Sequence, residues 1–324
     1  MNMLAKTAVI CSGVASALIA MQAQASCGSA FCMVDTNWSM QGVTTAPGTR
    51  LDLRYEYINQ DRAQNGRHRI AVGEILRDHD EVQTVNRNWV GTLDHNFDGT
   101  WAITATLPVV HRTHFHIQNN DDGTQTPESW KFTEAGDLRL LGRYQFAPQE
   151  SAEHTLGQAG LYFGLKLPTG SFKVKNAEGE LAERTLQPGT GTTDAMLGAF
   201  WRQALPLKDF SWFAQGLIQV PLNAREDYRP GQRINLDAGV RYEAGEKVAL
   251  LVQANALIRG RDSGAQAEPE DSGGRSLWLS PGVSYAVTKS MQAYAFFQLP
   301  LYQFVNGAQL VAERSLVIGV STRF

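Results

Sequence analysis

Residues 315–324 read SLVIGVSTRF, an alternating run that stops on an aromatic side chain. Side chains alternate across an extended strand. Leu316, Ile318, Val320, Thr322 and Phe324 therefore share one face, and Ser315, Val317, Gly319, Ser321 and Arg323 share the other. One face is oily and the other mostly small or polar. A strand of that kind needs lipid or a core on one side and a wetter surface on the other. The same rhythm runs back through the chain to Thr49, and helical periodicity is largely missing.

Working outward from that ending, twelve alternating segments can be drawn: 49–61, 81–97, 101–117, 130–147, 156–171, 193–205, 211–224, 233–245, 248–260, 275–288, 291–305 and 310–324. Their connections alternate in length. Short ones fall at Asp98-Gly99, 206–210, 244–247 and 288–290, and long polar ones at 62–80, 118–129, 172–192 and 261–274. Bacterial outer-membrane barrels combine short periplasmic turns with longer outer loops and have an even strand number. The expected fold is all-β: a closed antiparallel up-and-down transmembrane β-barrel of about 12 strands over residues 49–324. The two faces sort accordingly. Met291, Ala293, Ala295, Phe297, Leu299 and Leu301 alternate with Gln292, Tyr294 and Gln298, and Val248, Leu250, Val252, Ala254, Ala256 and Ile258 alternate with Gln253, Asn255 and Arg259. Aromatic residues sit near many segment ends (Trp101, Trp130, Tyr144, Phe146, Trp212, Tyr242, Tyr302), as an interfacial girdle requires.

The other end of the chain fits the same destination. Residues 1–25 carry Lys6, an apolar run over 7–21 and the small-x-small signal Ala23-Gln24-Ala25, the pattern of a cleaved signal peptide. The apolar run is shorter than the ~20 residues of a spanning helix. Export into a Gram-negative envelope makes residues 26–48 a periplasmic N-terminal segment and the cell outer membrane the expected location. Two cysteines survive processing, Cys27 and Cys32, and an oxidising compartment favours a local disulfide between them. As a thiolate metal site the pair is an incomplete ligand set. Phe324, on the lipid face of the last strand, is the expected assembly signal for the barrel-assembly machinery. The formal charge of −3 and the lack of a basic patch exclude nucleic acid as a partner, leaving outer-membrane lipid and a small-molecule solute.

Four stretches carry a family resemblance: Thr106-Leu107-Pro108-Val109, Glu134-Ala135-Gly136-Asp137-Leu138, Leu165-Lys166-Leu167-Pro168-Thr169-Gly170 and Gly189-Thr190-Gly191-Thr192-Thr193-Asp194. In order and spacing the set resembles an outer-membrane transporter family labelled "MetA pathway of phenol degradation", over roughly residues 100–290. The resemblance implies a porin-like barrel. The CGSAFC stretch and the His-rich strand lie outside the resembling pieces. The residues also make sense without the family, since proline belongs near a strand end or where a sheet loosens and glycine supplies turn freedom.

The inward alternates contain both signs of charge: Asp52, Arg54, Glu56, Asp137, Arg139, Arg143, Lys166, Asp194, Arg202, Asp237 and Arg241. Such a lumen can guide a polar solute through a constriction, or close a narrow pore with ion pairs. The expected function is a porin-like channel for passive passage of small solutes, with no cofactor. One stretch points elsewhere. In His111–His116, HRTHFH, the imidazoles of His114 and His116 share a face with Arg112, about 6.5–7 Å apart. With His68, His79 or Asp78 from the first outer loop they could take a transition metal at the outer rim, beside Asn119-Asn120-Asp121-Asp122. A structural barrel that anchors a periplasmic partner through 26–48 is a third reading. Catalysis is not expected: no serine or cysteine lies between Ser39 and Ser129, the stretch that holds six of the seven histidines, so no nucleophile sits near a base in sequence.

Overall fold

The computed structural model describes residues 47–146 and 157–324. The signal peptide, nearly all of the 26–48 segment and the Cys27–Cys32 pair lie outside the described residues. Among the described residues the secondary structure is all strand, in thirteen elements. They are β1 (Gly48–Gly66), β2 (His68–Arg69), β3 (His79–Asn96), β4 (Trp101–Asn119), β5 (Gln125–Ala135), β6 (Leu138–Gln145) and β7 (Gly157–Leu167). Then come β8 (Asp194–Ala204), β9 (Phe210–Pro221), β10 (Arg233–Glu243), β11 (Val248–Arg259), β12 (Gly274–Ala286) and β13 (Met291–Arg323).

Neighbours pair antiparallel around a ring, from β13 through β12 to β6, then β4, β3 and β1, and β1 closes on β13. β2 and β5 lie off this ring. β13 is a hairpin, not one stave. Its first arm pairs with β12 as far as Val305, it turns at Gly307 (φ 57°), and its second arm pairs with β1 from Arg50↔Arg323 upward. Eleven elements thus give twelve staves. Closure reaches the last residue: Thr49 N donates to Phe324 O at 3.1 Å and Phe324 N donates to Thr49 O at 3.0 Å. A closed ring leaves no ladder edge, which is what lets a sheet cross hydrocarbon without unsatisfied backbone groups.

The period-two pattern maps onto the two surfaces. Leu316, Ile318, Val320 and Phe324 are exposed on the outer face, while Ser315, Val317 and Ser321 are buried in the lumen. Leu250, Val252 and Ile258 on β11 point out, and Leu251, Gln253, Asn255 and Arg259 point in. An inner aromatic girdle links strand ends, with Trp101 and Tyr144 rings 4.7 Å apart and Phe210 stacked on Tyr242 at 4.5 Å. Trp130 does not belong to a girdle. It is only 3% exposed and faces the lumen, against residues of the 168–193 segment.

Two expected boundaries shift for local reasons. The 118–129 loop is a tight hairpin tip, since β4 runs to Asn119 and β5 resumes at Gln125. Asp122 Oδ1 accepts from Thr124 N at 2.9 Å, and Gly123 takes φ 80°. The segment drawn over 130–147 is broken: β5 pairs with β4 from Val109 upward, β6 pairs with β4 only up to Thr106, and Gly136-Asp137 separates them. Pro108 sits opposite the break, where its missing N–H leaves no ladder position empty, and its carbonyl accepts Gly136 N at 2.8 Å.

Above that break the wall does not continue directly into β7. The 168–193 segment folds inward instead. Ala182 and Leu186 pack with Val110, Trp130, Phe132 and Leu310 in an apolar cluster inside the barrel, flanked by Ala63 and Val174. Trp130 Nε1 donates to Glu180 O at 3.2 Å, and the buried Arg112 guanidinium bonds Asn86 Oδ1 at 2.7 Å and the Leu186 carbonyl. The inward apolar positions of β4 and β5 thereby hold a polar outer segment inside the lumen.

Candidate functional site in the barrel lumen

The four resembling stretches, up to 88 positions apart in the chain from Thr106 to Asp194, meet at one place. Pro108 and Gly136 touch across the strand break, and an added Cβ on Gly170 would lie 2.7 Å from Gly136 C and 2.8 Å from Gly189 Cα. Only glycine allows that backbone-to-backbone approach. Asp137 organises the junction. Its Oδ1 accepts Gly170 N at 3.0 Å, and its Oδ2 accepts Thr190 N at 3.0 Å, Thr190 Oγ1 at 3.1 Å and Lys166 Nζ at 3.0 Å. Lys166 also reaches Asp194 Oδ1 at 3.2 Å, Thr192 Oγ1 at 3.3 Å and the Thr190 hydroxyl. The ammonium is therefore shared between two buried carboxylates and offsets one of their two charges.

A cavity of about 590 Å³, part of it open to solvent, lies beside the junction. Its lining has five basic side chains (Arg139, Lys166, Arg184, Arg233, Arg259) and two acidic ones, Asp137 and Asp194. Both acids are taken up by Lys166. Arg259 is held by Asp262, with Nη2 donating at 2.6 and 2.8 Å. Tyr228 closes the same wall, its hydroxyl donating to Asp262 Oδ2 at 2.9 Å. Burial and the Asp262 carboxylate raise the Tyr228 phenol well above its ordinary range. Arg184 lies over the Phe172 and Tyr228 rings, 4.7 and 4.9 Å from their centroids. Arg139 lies within electrostatic range of Arg54 and of Asp137, Asp194 and Glu56, and Arg233 within range of Arg139, Arg259 and Asp262. The lining of the cavity is predominantly basic.

The remaining charged positions expected in the lumen are buried or half-buried there, in local pairs below the cavity. Asp52 accepts from Tyr294 Oη at 2.8 and 2.9 Å, Arg54 bonds Glu56 at 2.8 Å, and Asp237 accepts from Asn255 at 2.7 Å and Gln215 at 2.9 Å. Arg241 bonds Glu243 at 2.6 Å, Arg202 donates to Gln145 at 3.3 Å, and Arg143 is buried near Arg202.

The histidines lie inside the barrel, not on a solvated rim. His114 and His116 are both buried on β4, joined by His79 and Glu81 of β3 and by Glu183 of the inward segment. His68 and Asp78 stand outside this group. Glu81 and Glu183 escape a strict alternation reading for different reasons. A register irregularity between Glu81 and Gln83 swaps inward parity along β3, so His79 and Glu81 face in together with Thr84 and Asn86. Glu183 lies in what reads as an ordinary outer loop. Arg233 has the same parity as Asp237 and Arg241, a signal that was available in the sequence.

Comparison with solved structures places the fold. An outer-membrane channel from Pseudomonas putida F1 superposes with a TM-score of 0.64 at 14% identity, covering 90% of this chain and all of that one. The NanC porin superposes with a TM-score of 0.42 at 10% identity over 85% of this chain, too distant to carry an argument. No curated protein matches the sequence. A family model does, over residues 58–303, which includes all four converging stretches, and on that match the chain belongs to the family described as "Putative MetA-pathway of phenol degradation".

Proposed function

We propose that this outer-membrane barrel is a channel for passive passage of small solutes, and that its constriction prefers anions. The observation that carries the reading is the basic majority of the cavity lining: five basic side chains against two acids, both engaged by Lys166, with Asp262 on Arg259 and Glu226 3.9 Å from Arg184 offsetting part of the excess. Rings of Arg and Lys in a pore of low dielectric select for anions and polyanions. The relative from Pseudomonas putida F1 is described as an outer-membrane channel, which supports the transport class. A lining of guanidinium and hydroxyl groups suits a carboxylate-bearing solute better than a neutral arene.

Reconstitution into planar bilayers tests both parts. Discrete conductance steps are expected, with a reversal potential of the sign for anion preference under a KCl gradient. Absence of conductance steps together with absence of solute flux into loaded liposomes removes the channel. A reversal potential of cation sign removes the anion preference alone.

A further inference from the structure

The group formed by His79, Glu81, His116 and Glu183 is not needed by a passive pore. One ligand atom from each lies within 4.8 Å of the other three. Close approaches among them are 2.9 Å (His79 Nε2 to Glu183 Oε1), 3.4 Å (His79 Nε2 to Glu81 Oε1) and 3.7 Å (His116 Nδ1 to Glu183 Oε1). A tetrahedral ion bound at ~2.0–2.1 Å has ligand-to-ligand edges of ~3.3 Å. The observed spread brackets that length. All four side chains are buried, each less than 9% exposed.

A second observation points to a missing ligand. Glu183 is 7% exposed, and its Oε2 is buried with no hydrogen-bond donor among the described residues; Glu268 Oε2 is in the same condition. Buried carboxylate oxygens are rarely left so. Glu268 belongs to the 260–273 loop. The surrounding groups are also arranged as metal sites arrange them. His116 Nε2 lies 3.2 Å from Glu128 Oε2, which fixes that nitrogen as the N–H, and its Nδ1 faces His114 Nε2 at 3.3 Å, a contact that a bound ion would replace. His114 Nε2 lies 3.7 Å from Glu81 Oε2, while its Nδ1 lies 2.8 Å from Thr84 Oγ1. Arg112, the nearby cation on the same face of β4, is turned to Asn86 and the Leu186 carbonyl.

We propose that His79, Glu81, His116 and Glu183 form a binding site for one divalent transition ion of the zinc type. Two imidazoles and two carboxylates suit such an ion and cancel its charge, whereas magnesium and calcium favour all-oxygen shells. The His79 and His116 rings stack with centroids 4.4 Å apart and 28° between planes, so loading turns one ring until both lone pairs converge. The ion joins three pieces of chain: β3, β4 and the inward 168–193 segment. The site latches that segment to the wall. It goes beyond the channel reading and does not rest on it.

The test uses the full barrel in detergent, stripped with a chelator and titrated with Zn²⁺ against a chromophoric competitor. One equivalent is expected to bind, with affinity reduced at least tenfold in Glu183→Gln and in His116→Ala, and unchanged in His68→Ala, an exposed histidine of β2. X-ray absorption of the loaded protein should give nitrogen and oxygen neighbours at ~2.0–2.1 Å. Glu183 is not in a stave, so Glu183→Gln decides the matter even if a β4 variant fails to fold. Lack of saturable binding by the folded wild type overturns the site, as does an affinity within threefold of wild type in Glu183→Gln. Neither result bears on conductance, which is measured separately.

Discussion

Lys166 Nζ and Asp137 Oδ2 lie 3.0 Å apart inside the barrel, joining β7 to the break between β5 and β6. The pair locks the point at which the chain leaves the wall and enters the lumen. Removing one partner of a buried ion pair strands the other charge and typically destabilises by 3–5 kcal/mol. Asp194 remains at 3.2 Å from Lys166, so Asp137→Asn should lose about 3 kcal/mol, the lower end of that range. Urea unfolding in detergent checks this. The double variant Asp137→Asn/Lys166→Met should be less destabilised than the sum of the two singles.

Gly189 tests the inward segment without removing a charge. A Cβ there would lie 2.5 Å from Gly170 O and 2.7 Å from Asp137 Oδ1. Gly189→Val should displace residues 168–193 at about 1–3 kcal/mol of strain while the staves stay paired. The expected result is a larger single-channel conductance with an unchanged β-sheet circular dichroism spectrum.

Arg139 and Arg233 line the cavity from β6 and β10. Arg139→Glu and Arg233→Glu should each move the reversal potential toward cation preference, and the double reversal should move it further. The shifts should shrink at high salt, because exposed portions of the field are screened over ~3 Å at 1 M. Equal reversal potentials in wild type and double variant would place the selectivity elsewhere.

Val252 stands near the middle of β11 on the outer face and is 50% exposed. A cationic side chain on the lipid face at the bilayer midplane costs ~2–4 kcal/mol. Val252→Arg should therefore lower folding yield into bilayers and the temperature of the heat-dependent gel shift. Gln253→Arg, one residue along and facing the lumen, should insert normally.

Most of the architecture was legible because one periodicity carries it. SLVIGVSTRF at the end of the chain and the alternation in β11 specify an oily and a polar surface, and repeated around twelve staves that requires a closed barrel. Where the pattern failed, a local exception to period two was responsible. Trp130 reads as a girdle residue, yet it shares the inward face of β5 with Phe132, and their partners are Ala182 and Leu186 from a segment with no strand pattern. His79 and Glu81 face inward only because β3 slips its register beside Gln83.

The sequence by itself determined the sheet, its closure, the sorting of lipid-facing from lumen-facing residues, and the motifs of the family. Those properties follow from side-chain alternation and turn chemistry, which act over a few residues at a time. Only the tertiary structure decided that the four motifs meet at Asp137, that residues 168–193 turn inward, and that Glu183 joins His79, Glu81 and His116. The physical reason is that contacts across a lumen join positions far apart in the chain, and no local period records which of them will meet.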